Sequence, residues 1–132
     1  MAILHTGIDL IEIERFESAI HRHGTRFLQR IFTARELAEV GGNIPSLAAR
    51  FAAKEALAKA LGTGIGPISW QEVEVLRNQA RQPQLFLHGE AIRLATDLKI
   101  SSWSLSLSHS RQHAVALVVM LSGTEEVGTD AP

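Results

Sequence analysis

The chain of 132 residues contains no cysteine. This absence excludes a disulfide framework, a thiol nucleophile and a cysteine-ligated zinc site, and it is compatible with the cytosol. The longest apolar run, residues 114–121, is far shorter than the ~20 residues that span a bilayer. The first residues lack the charged start and long apolar run of a signal peptide. We therefore expect a cytoplasmic protein without a membrane partner.

An excess of charge of either sign is also missing, since 13 lysines and arginines face 14 aspartates and glutamates. No overall field points to nucleic acid, and we expect no nucleic-acid partner. The even balance hides a local skew, because residues 15–35 hold five arginines and two histidines against one acid. Spacings of four would place Arg22, Arg26 and Arg30 on one helical face. Together with Arg15 they form the arginine patch, which is either a solvated surface or a docking site for an acidic partner.

What is present is ordinary for a soluble globular protein, with 45% apolar and 20% charged residues. The length suits one domain with a real core, which we place at residues 1–121. The polar stretch 122–132 is expected to be a flexible tail. The sequence shows no internal repeat and no interdomain linker.

The first part of the chain predicts a strand and then helices. Residues 3–13 are rich in isoleucine and leucine, and a period of two places Gly7 and Asp9 on one strand face. A helical stretch follows, with an interruption expected near Gly24. Thr33 opens a capping-box sequence, which predicts a short helix.

The second half predicts mostly antiparallel strands. Residues 72–76 and 84–87 read as a hairpin, and a helix is predicted over 90–99. Residues 102–110 alternate between serines on one face and Trp103, Leu105, Leu107 and His109 on the other. The continuous apolar run 114–121 is typical of a strand buried on both faces. The fold class is therefore α+β, an antiparallel sheet packed against helices with one long central helix.

That central helix is alanine-rich and is predicted to run from an N-cap at Ser46 to Gly62. It carries Arg50, Glu55 and Lys59, and the last two share one helix face. A carboxylate beside an ammonium suits an anionic ligand held through a metal ion, but taken alone the pair favours a surface salt bridge. The glycines that follow leave a helix C-terminus, so they form a C-cap and flexible exit rather than a phosphate loop.

Asp9 is the unusual residue of the first strand, because an ionised carboxylate in an apolar strand is costly without a cation or hydrogen-bond donors. It is either partly exposed or paired with a structural arginine, or it is a metal ligand. Asp9 and Glu55 would together suit one Mg²⁺, although their spacing alone does not show this. His109 precedes a turn, where histidines are more often packed or solvent-tipped than ligands. No partner for a zinc site lies at suitable spacing.

Three motifs follow one another along the chain: Gly-Ile-Asp-Leu-Ile-Glu-Ile-Glu-Arg at 7–15, Arg-Phe-Ala-Ala-Lys-Glu-Ala with Gly-Thr-Gly-Ile-Gly within 50–66, and Ser-Leu-Ser-His-Ser at 106–110. Over residues 1–121 the chain resembles the holo-[acyl-carrier-protein] synthases, the short stand-alone type of 4′-phosphopantetheinyl transferase. One departure from that family is the short connection between the Thr33 and Ser46 helices, which bears on its loop contacts to the nucleotide or carrier protein.

The resemblance implies the fold of that superfamily and transfer of 4′-phosphopantetheine from coenzyme A to a serine of apo acyl carrier protein, in support of fatty acid biosynthesis. It implies a homotrimer with active sites between subunits, in which His109 would face the carboxylates of an adjacent chain. The serine proton would go to Glu55 or to a metal-bound water. The implied residues are Asp9, Glu55 and Lys59 for catalysis, Asp9 and Glu55 for Mg²⁺, Arg50, Lys59, Gly62, His109 and Ser110 for coenzyme A, and the arginine patch (Arg15, Arg22, Arg26, Arg30) for the carrier.

Two other classes of function stay open. A non-catalytic module would bind an acidic protein or nucleic acid through the arginine patch, but it leaves Asp9 unexplained. A Mg²⁺-dependent nucleotide hydrolase would use the same carboxylates and release adenosine bisphosphate without a carrier.

Overall fold

The computed structural model describes residues 1–123, and residues 124–132 lie outside the described part. The strands form two antiparallel sheets, one of order β1-β5-β4 and one of order β2-β3. This confirms the predicted α+β class and the predicted hairpin. The elements are β1 (Ile3–Glu12), α1 (Ile13–Ile31), α2 (Ala34–Val40), α3 (Ile44–Ala60), a 3₁₀ turn (Trp70–Glu72), β2 (Val73–Arg77), β3 (Pro83–Leu87), α4 (Gly89–Asp97), β4 (Ile100–His109) and β5 (His113–Ser122).

Helix α3 lies at the centre of the molecule, as predicted, and its alanines let other elements approach on nearly every side. Ala52, Ala53 and Ala56 are fully buried among residues of β2, β3, α4 and β5. Strand β1 crosses α3 at Gly7, where an added Cβ would lie 1.9 Å from the carbonyl oxygen of Ala56. Only glycine permits this backbone contact, and it places the neighbouring Asp9 against the helix.

The start of α3 corrects the predicted N-cap. The helix begins at Ile44, and the Asn43 side chain accepts a 3.0 Å hydrogen bond from the Ser46 N–H, so Ser46 is inside the first turn. Pro45 does not mark the start of the helix, because a proline is tolerated in the first helical turn, where its missing N–H would have no partner within the helix. At the other end Gly62 has φ 82° and closes the predicted C-cap.

Strand β5 was predicted to be buried on both faces, but in a single chain only one of its faces is buried. Helix α3 covers one face of the β1-β5-β4 sheet, whereas Leu117 on the opposite face is 40% exposed. Apolar β1 side chains lie on the same face of the sheet and are more exposed still. We call this surface the open sheet face; it is formed by Leu4, Ile8, Leu10 and Leu117.

Helix α1 is interrupted at Gly24, as expected, where the backbone has φ 67° and ψ −151°. Arg22 therefore precedes the break, and Arg26 and Arg30 follow it. The prediction that all three lie on one face of a continuous helix is wrong. The arginine patch is nevertheless exposed along the whole of α1.

Residues 1–123 contain no helix that is long and apolar enough to cross a membrane. At the end of the described part, Ser122 is buried as the last residue of β5, and the Gly123 N–H bonds the Lys99 carbonyl oxygen at 3.1 Å. The rest of the expected flexible tail, residues 124–132, lies outside the described residues.

Candidate active site

The site is built where β1 crosses α3. The Lys59 ammonium donates to Asp9 Oδ1 at 2.9 Å and to the Ile8 carbonyl oxygen at 3.0 Å. The Asp9 side chain is 15% exposed, and its second oxygen, Oδ2, is buried without a hydrogen-bond partner among the described residues. An unsatisfied buried polar atom of this kind costs about 1–3 kcal/mol. Such atoms are rare in native proteins, and a bound ion or water is one explanation for this one.

Glu55 lies one helical turn before Lys59. Within residues 1–123 it makes no ion pair, because Lys59 is bonded to Asp9 instead and Glu55 Oε1 accepts from the Trp70 indole at 3.3 Å. The surface salt bridge that the segment favoured when taken alone is therefore wrong. The fold brings Asp9 and Lys59 into contact and leaves Glu55 on the adjacent turn of the same helix face.

These residues fit a magnesium ion by their chemistry. Asp9 and Glu55 supply carboxylate oxygens, which Mg²⁺ prefers, and no donor among residues 1–123 competes for Asp9 Oδ2. The described residues contain no group of three or more histidine, cysteine, aspartate or glutamate side chains that would hold a metal alone. The remaining positions would thus fall to water and to phosphate oxygens of a substrate, as is usual for Mg²⁺.

Arg50 does not join this site. Its side chain is buried, where Nη1 donates to the Val75 carbonyl oxygen at 2.7 Å and Nη2 bonds the Glu39 carboxylate. Nine residues of helix separate Arg50 from Lys59, roughly 14 Å along the axis. Both residues were correctly predicted to lie on one helix. Their tertiary contacts show that they face different parts of the protein surface.

Arg50 instead lines a second concavity, the arginine groove, with a volume of about 470 Å³. Arg77, the last residue of β2, and Arg81, within the β2–β3 turn, complete the groove and were missed from the sequence. Arg81 has a left-handed backbone with φ 65°. Partial burial raises the pKa of Glu39, but hydrogen bonds and charge from Arg50 and Arg77 hold that pKa below its ordinary value. With three guanidinium groups and one carboxylate, the arginine groove carries a net positive charge, which favours binding of an anion.

His109 and Ser110 also lie apart from the carboxylates within one chain. His109 is opposite Ala114 on β5, which is opposite Ile11 on β1, so two strand spacings of about 5 Å each intervene. The Ser110 hydroxyl accepts two backbone N–H groups of the β4–β5 turn, a structural use of that side chain. His109 is exposed at the strand end.

A buried polar network beneath the site was also missed. Lys54, the neighbour of Glu55, has no exposed side-chain area and donates to Glu36 at 2.8 Å and to backbone carbonyls of Trp70 and Val73. Burial lowers the pKa of Lys54, and Glu36 opposes this. The pairing of the capping-box glutamate with Lys54 was invisible in sequence because 18 residues separate them. The network ties α2, α3 and the Trp70 turn into one scaffold.

Comparison with known proteins identifies the family. The sequence model of the 4′-phosphopantetheinyl transferase superfamily matches residues 5–118. The chain is 46% identical over 129 residues to the holo-[acyl-carrier-protein] synthase of Moorella thermoacetica, covering 96% of this chain and 100% of that one. Its fold is similar to the Helicobacter pylori holo-[acyl-carrier-protein] synthase in complex with coenzyme A, with a TM-score of 0.80, 33% identity and coverage of 87% and 98%.

A second solved structure is also similar in fold. The holo-(acyl-carrier-protein) synthase from Bacillus anthracis in complex with coenzyme A is similar with a TM-score of 0.77 and 35% identity, covering 93% of this chain and 100% of that one. Near-complete coverage in both directions means that the likeness extends to the whole domain rather than to one motif. The chain belongs to the holo-[acyl-carrier-protein] synthase family of the 4′-phosphopantetheinyl transferase superfamily.

Proposed function

We propose that this protein transfers the 4′-phosphopantetheine arm of coenzyme A to a serine of apo acyl carrier protein. The serine oxygen bonds to the phosphorus that carries the arm, and its proton passes to Glu55 or to a water molecule. The bond from that phosphorus to the bridging oxygen breaks, and adenosine 3′,5′-bisphosphate leaves. The observation that carries the proposal is Asp9, whose buried Oδ2 has no donor within residues 1–123, in a chain of this family. We assign the reaction to the cytoplasm and to fatty acid biosynthesis.

Asp9 and Glu55 are the proposed ligands of Mg²⁺, and with Lys59 they form the proposed catalytic set. Bound there, the ion would neutralise the pyrophosphate of coenzyme A and polarise the attacked phosphorus. Lys59 has three N–H donors and uses two on Asp9 and Ile8. The third donor, on a side chain that is 53% exposed, is available to a phosphate oxygen.

The rest of coenzyme A would bind beyond the carboxylates. Among the described residues, a Cβ built at Gly62 meets nothing within 4 Å, so space is open beside this glycine, two residues after the end of α3. This supports passage of the coenzyme close to the backbone there. The arginine groove around Arg50 is the proposed contact for the charged nucleotide end, since guanidinium groups match phosphates in geometry and charge.

The arginine patch on α1 is the proposed docking site of the carrier protein. Its four side chains are exposed, and within residues 1–123 only Arg15 of the four forms an ion pair, with Nη1 3.4 Å from Glu12 Oε1. An acidic carrier would be attracted by this skew, and charge complementarity acts chiefly on association rate and selectivity. Arg26→Glu with Arg30→Glu should therefore raise KM for the carrier more than KM for coenzyme A.

We further propose a homotrimer with active sites between subunits. The open sheet face supports it, because Leu4, Ile8 and Leu10 are 68%, 59% and 62% exposed, and a contiguous apolar surface of this kind marks an interface. In such an assembly His109 and the adjacent Ser110 would serve the coenzyme site of a neighbouring chain, which accounts for their distance from Asp9 within one chain.

The transfer is tested by mass spectrometry of apo acyl carrier proteins incubated with the protein, coenzyme A and Mg²⁺. We expect a carrier heavier by one phosphopantetheine; several apo carriers without any gain would reject the function. Asp9→Asn and Glu55→Gln should each lower turnover by about 10²- to 10³-fold, as for loss of one electrostatic stabiliser. Asp97→Asn, an exposed acid of α4, is the matched control. Full activity of both site variants would reject the metal assignment alone.

The shared site is tested by mixing two inactive variants, Asp9→Asn and His109→Ala. If one chain supplies Asp9 and its neighbour supplies His109, mixed assemblies contain some intact sites and activity returns. Light scattering should show a trimer for the wild type and smaller species for Ile8→Glu. A monomeric, fully active wild-type protein would contradict the assembly.

A further inference from the structure

Trp70 contacts Glu55, one of the two proposed Mg²⁺ ligands. The Trp70 Nε1–H donates to Glu55 Oε1 at 3.3 Å, slightly longer than the usual range of about 2.7–3.2 Å for such bonds. Within residues 1–123, this indole is the only recorded hydrogen-bond partner of the Glu55 side chain. One carboxylate oxygen of Glu55 is thus hydrogen-bonded, while the other has no donor among the described residues.

The turn that carries Trp70 is held from several sides. The buried Lys54 ammonium donates to the Trp70 carbonyl oxygen at 3.0 Å. Glu72 closes a capping box on the Ser69 N–H at 2.8 Å, and the Gln71 amide donates to the Phe32 carbonyl oxygen at 3.2 Å. Lys54 and Glu55 are adjacent on α3. Lys54 therefore holds the backbone of the turn, and Glu55 accepts the hydrogen bond from the indole of the same residue.

The indole plane is also fixed by packing. The Trp70 ring lies 6.1 Å from the Phe51 ring at an interplanar angle of 32°, and Phe51 lies 5.4 Å from Phe16 of α1. Phe51 is one turn before Glu55 on α3, so the same helix supplies the stacking partner and the hydrogen-bond acceptor. Backbone anchors and aromatic packing together leave the N–H with little freedom to turn away.

We propose that Trp70 is a positioning residue for Glu55, holding its carboxylate in the orientation that binds the divalent ion; this rests on the proposed function. Hydrogen bonds to a metal ligand's second oxygen fix its orientation, and their loss lowers metal affinity by about 10- to 100-fold. Trp70 does not touch the reacting atoms, so it acts only through Glu55.

The experiment compares Trp70→Phe with Trp103→Phe. The chain has two tryptophans, and Trp103 also donates its indole N–H, to the Leu85 carbonyl oxygen at 3.0 Å on a different part of the fold. Phenylalanine keeps an aromatic ring and removes the N–H in both variants. The dissociation constant of Mn²⁺ is measured by electron paramagnetic resonance with saturating coenzyme A, and folding is checked by urea denaturation.

We expect Trp70→Phe to weaken Mn²⁺ binding at least about tenfold and Trp103→Phe to leave it within about twofold. Mn²⁺ should also quench the fluorescence of the Trp103→Phe protein, which retains only Trp70, more strongly than that of the Trp70→Phe protein. An unchanged Mn²⁺ constant in Trp70→Phe, or equal quenching in both variants, would overturn the proposal.

Comparison of the Glu55 and Trp70 variants separates the role of Trp70 from the metal site itself. If Glu55→Gln weakens Mn²⁺ binding and Trp70→Phe does not, only the role of Trp70 is rejected. If the wild type binds no Mn²⁺ with or without coenzyme A, the metal assignment falls and Trp70 with it. A loss of stability in Trp70→Phe with normal Mn²⁺ affinity in the folded protein would assign Trp70 a structural role alone.

Discussion

Gly7→Ala is expected to force β1 away from α3. A Cβ at residue 7 would lie 1.9 Å from the Ala56 carbonyl oxygen and 2.8 Å from the Ala60 nitrogen, against at least 3.4 Å for an ordinary contact. Both neighbours are backbone atoms of the buried central helix, so neither yields as a flexible side chain would. The strand must move by about 1.5 Å, and overpacking of this severity costs about 3 kcal/mol.

The same movement reaches the site. Asp9 lies two residues after Gly7 on the same face of β1, so its carboxylate is drawn away from Lys59 on α3. A misplacement of ~1 Å costs about 100-fold in rate. We therefore expect kcat/KM for phosphopantetheine transfer to fall about 100-fold in Gly7→Ala at a temperature where the protein is still folded.

Thermal and urea denaturation measure the loss of stability, and the mass assay on apo carrier protein measures the loss of transfer rate. Gly42→Ala is the matched control, because a Cβ there meets nothing within 4 Å and its backbone is not left-handed. We expect Gly7→Ala to lower Tm by about 10 °C and Gly42→Ala to change neither stability nor activity. A Gly7→Ala protein within about 0.5 kcal/mol of the wild type would refute the close approach of strand and helix.

Three further predictions concern the scaffold. Lys54→Met should cost about 3–5 kcal/mol in urea denaturation by leaving the Glu36 carboxylate buried without its ion partner, and adding Glu36→Gln should recover part of the loss. Burial raises the pKa of Glu74, but its hydroxyl, imidazole and guanidinium neighbours bring that pKa below the ordinary 4.5. The ionised carboxylate therefore stabilises the folded protein above pH 4.5, and this stabilisation is lost as the pH falls through the folded pKa. Glu74→Gln should make Tm depend less on pH in that range. Asn43→Ala should cost about 1 kcal/mol as an N-cap, whereas Ser46→Ala should cost little.

Local patterns predicted the elements well where the signal lies within a few residues. The period-two pattern of β1, the capping box at Thr33 and the left-handed Gly62 are all local features, and the structure has each of them. The N-cap of α3 was misplaced because Asn43 and Ser46 are equally good capping residues, and the intervening proline is compatible with either choice.

The sequence by itself determined the fold class, the family and the candidates Asp9, Glu55 and Lys59, because these depend on periodicity and on motifs that are contiguous in the chain. Only the tertiary structure decided which charges meet: Lys59 bonds Asp9 rather than Glu55, and Arg50 turns to Glu39. Ion pairs between residues far apart in sequence depend on how β1 and α2 pack on α3, and that packing follows from Gly7 and the buried alanines rather than from the charges themselves.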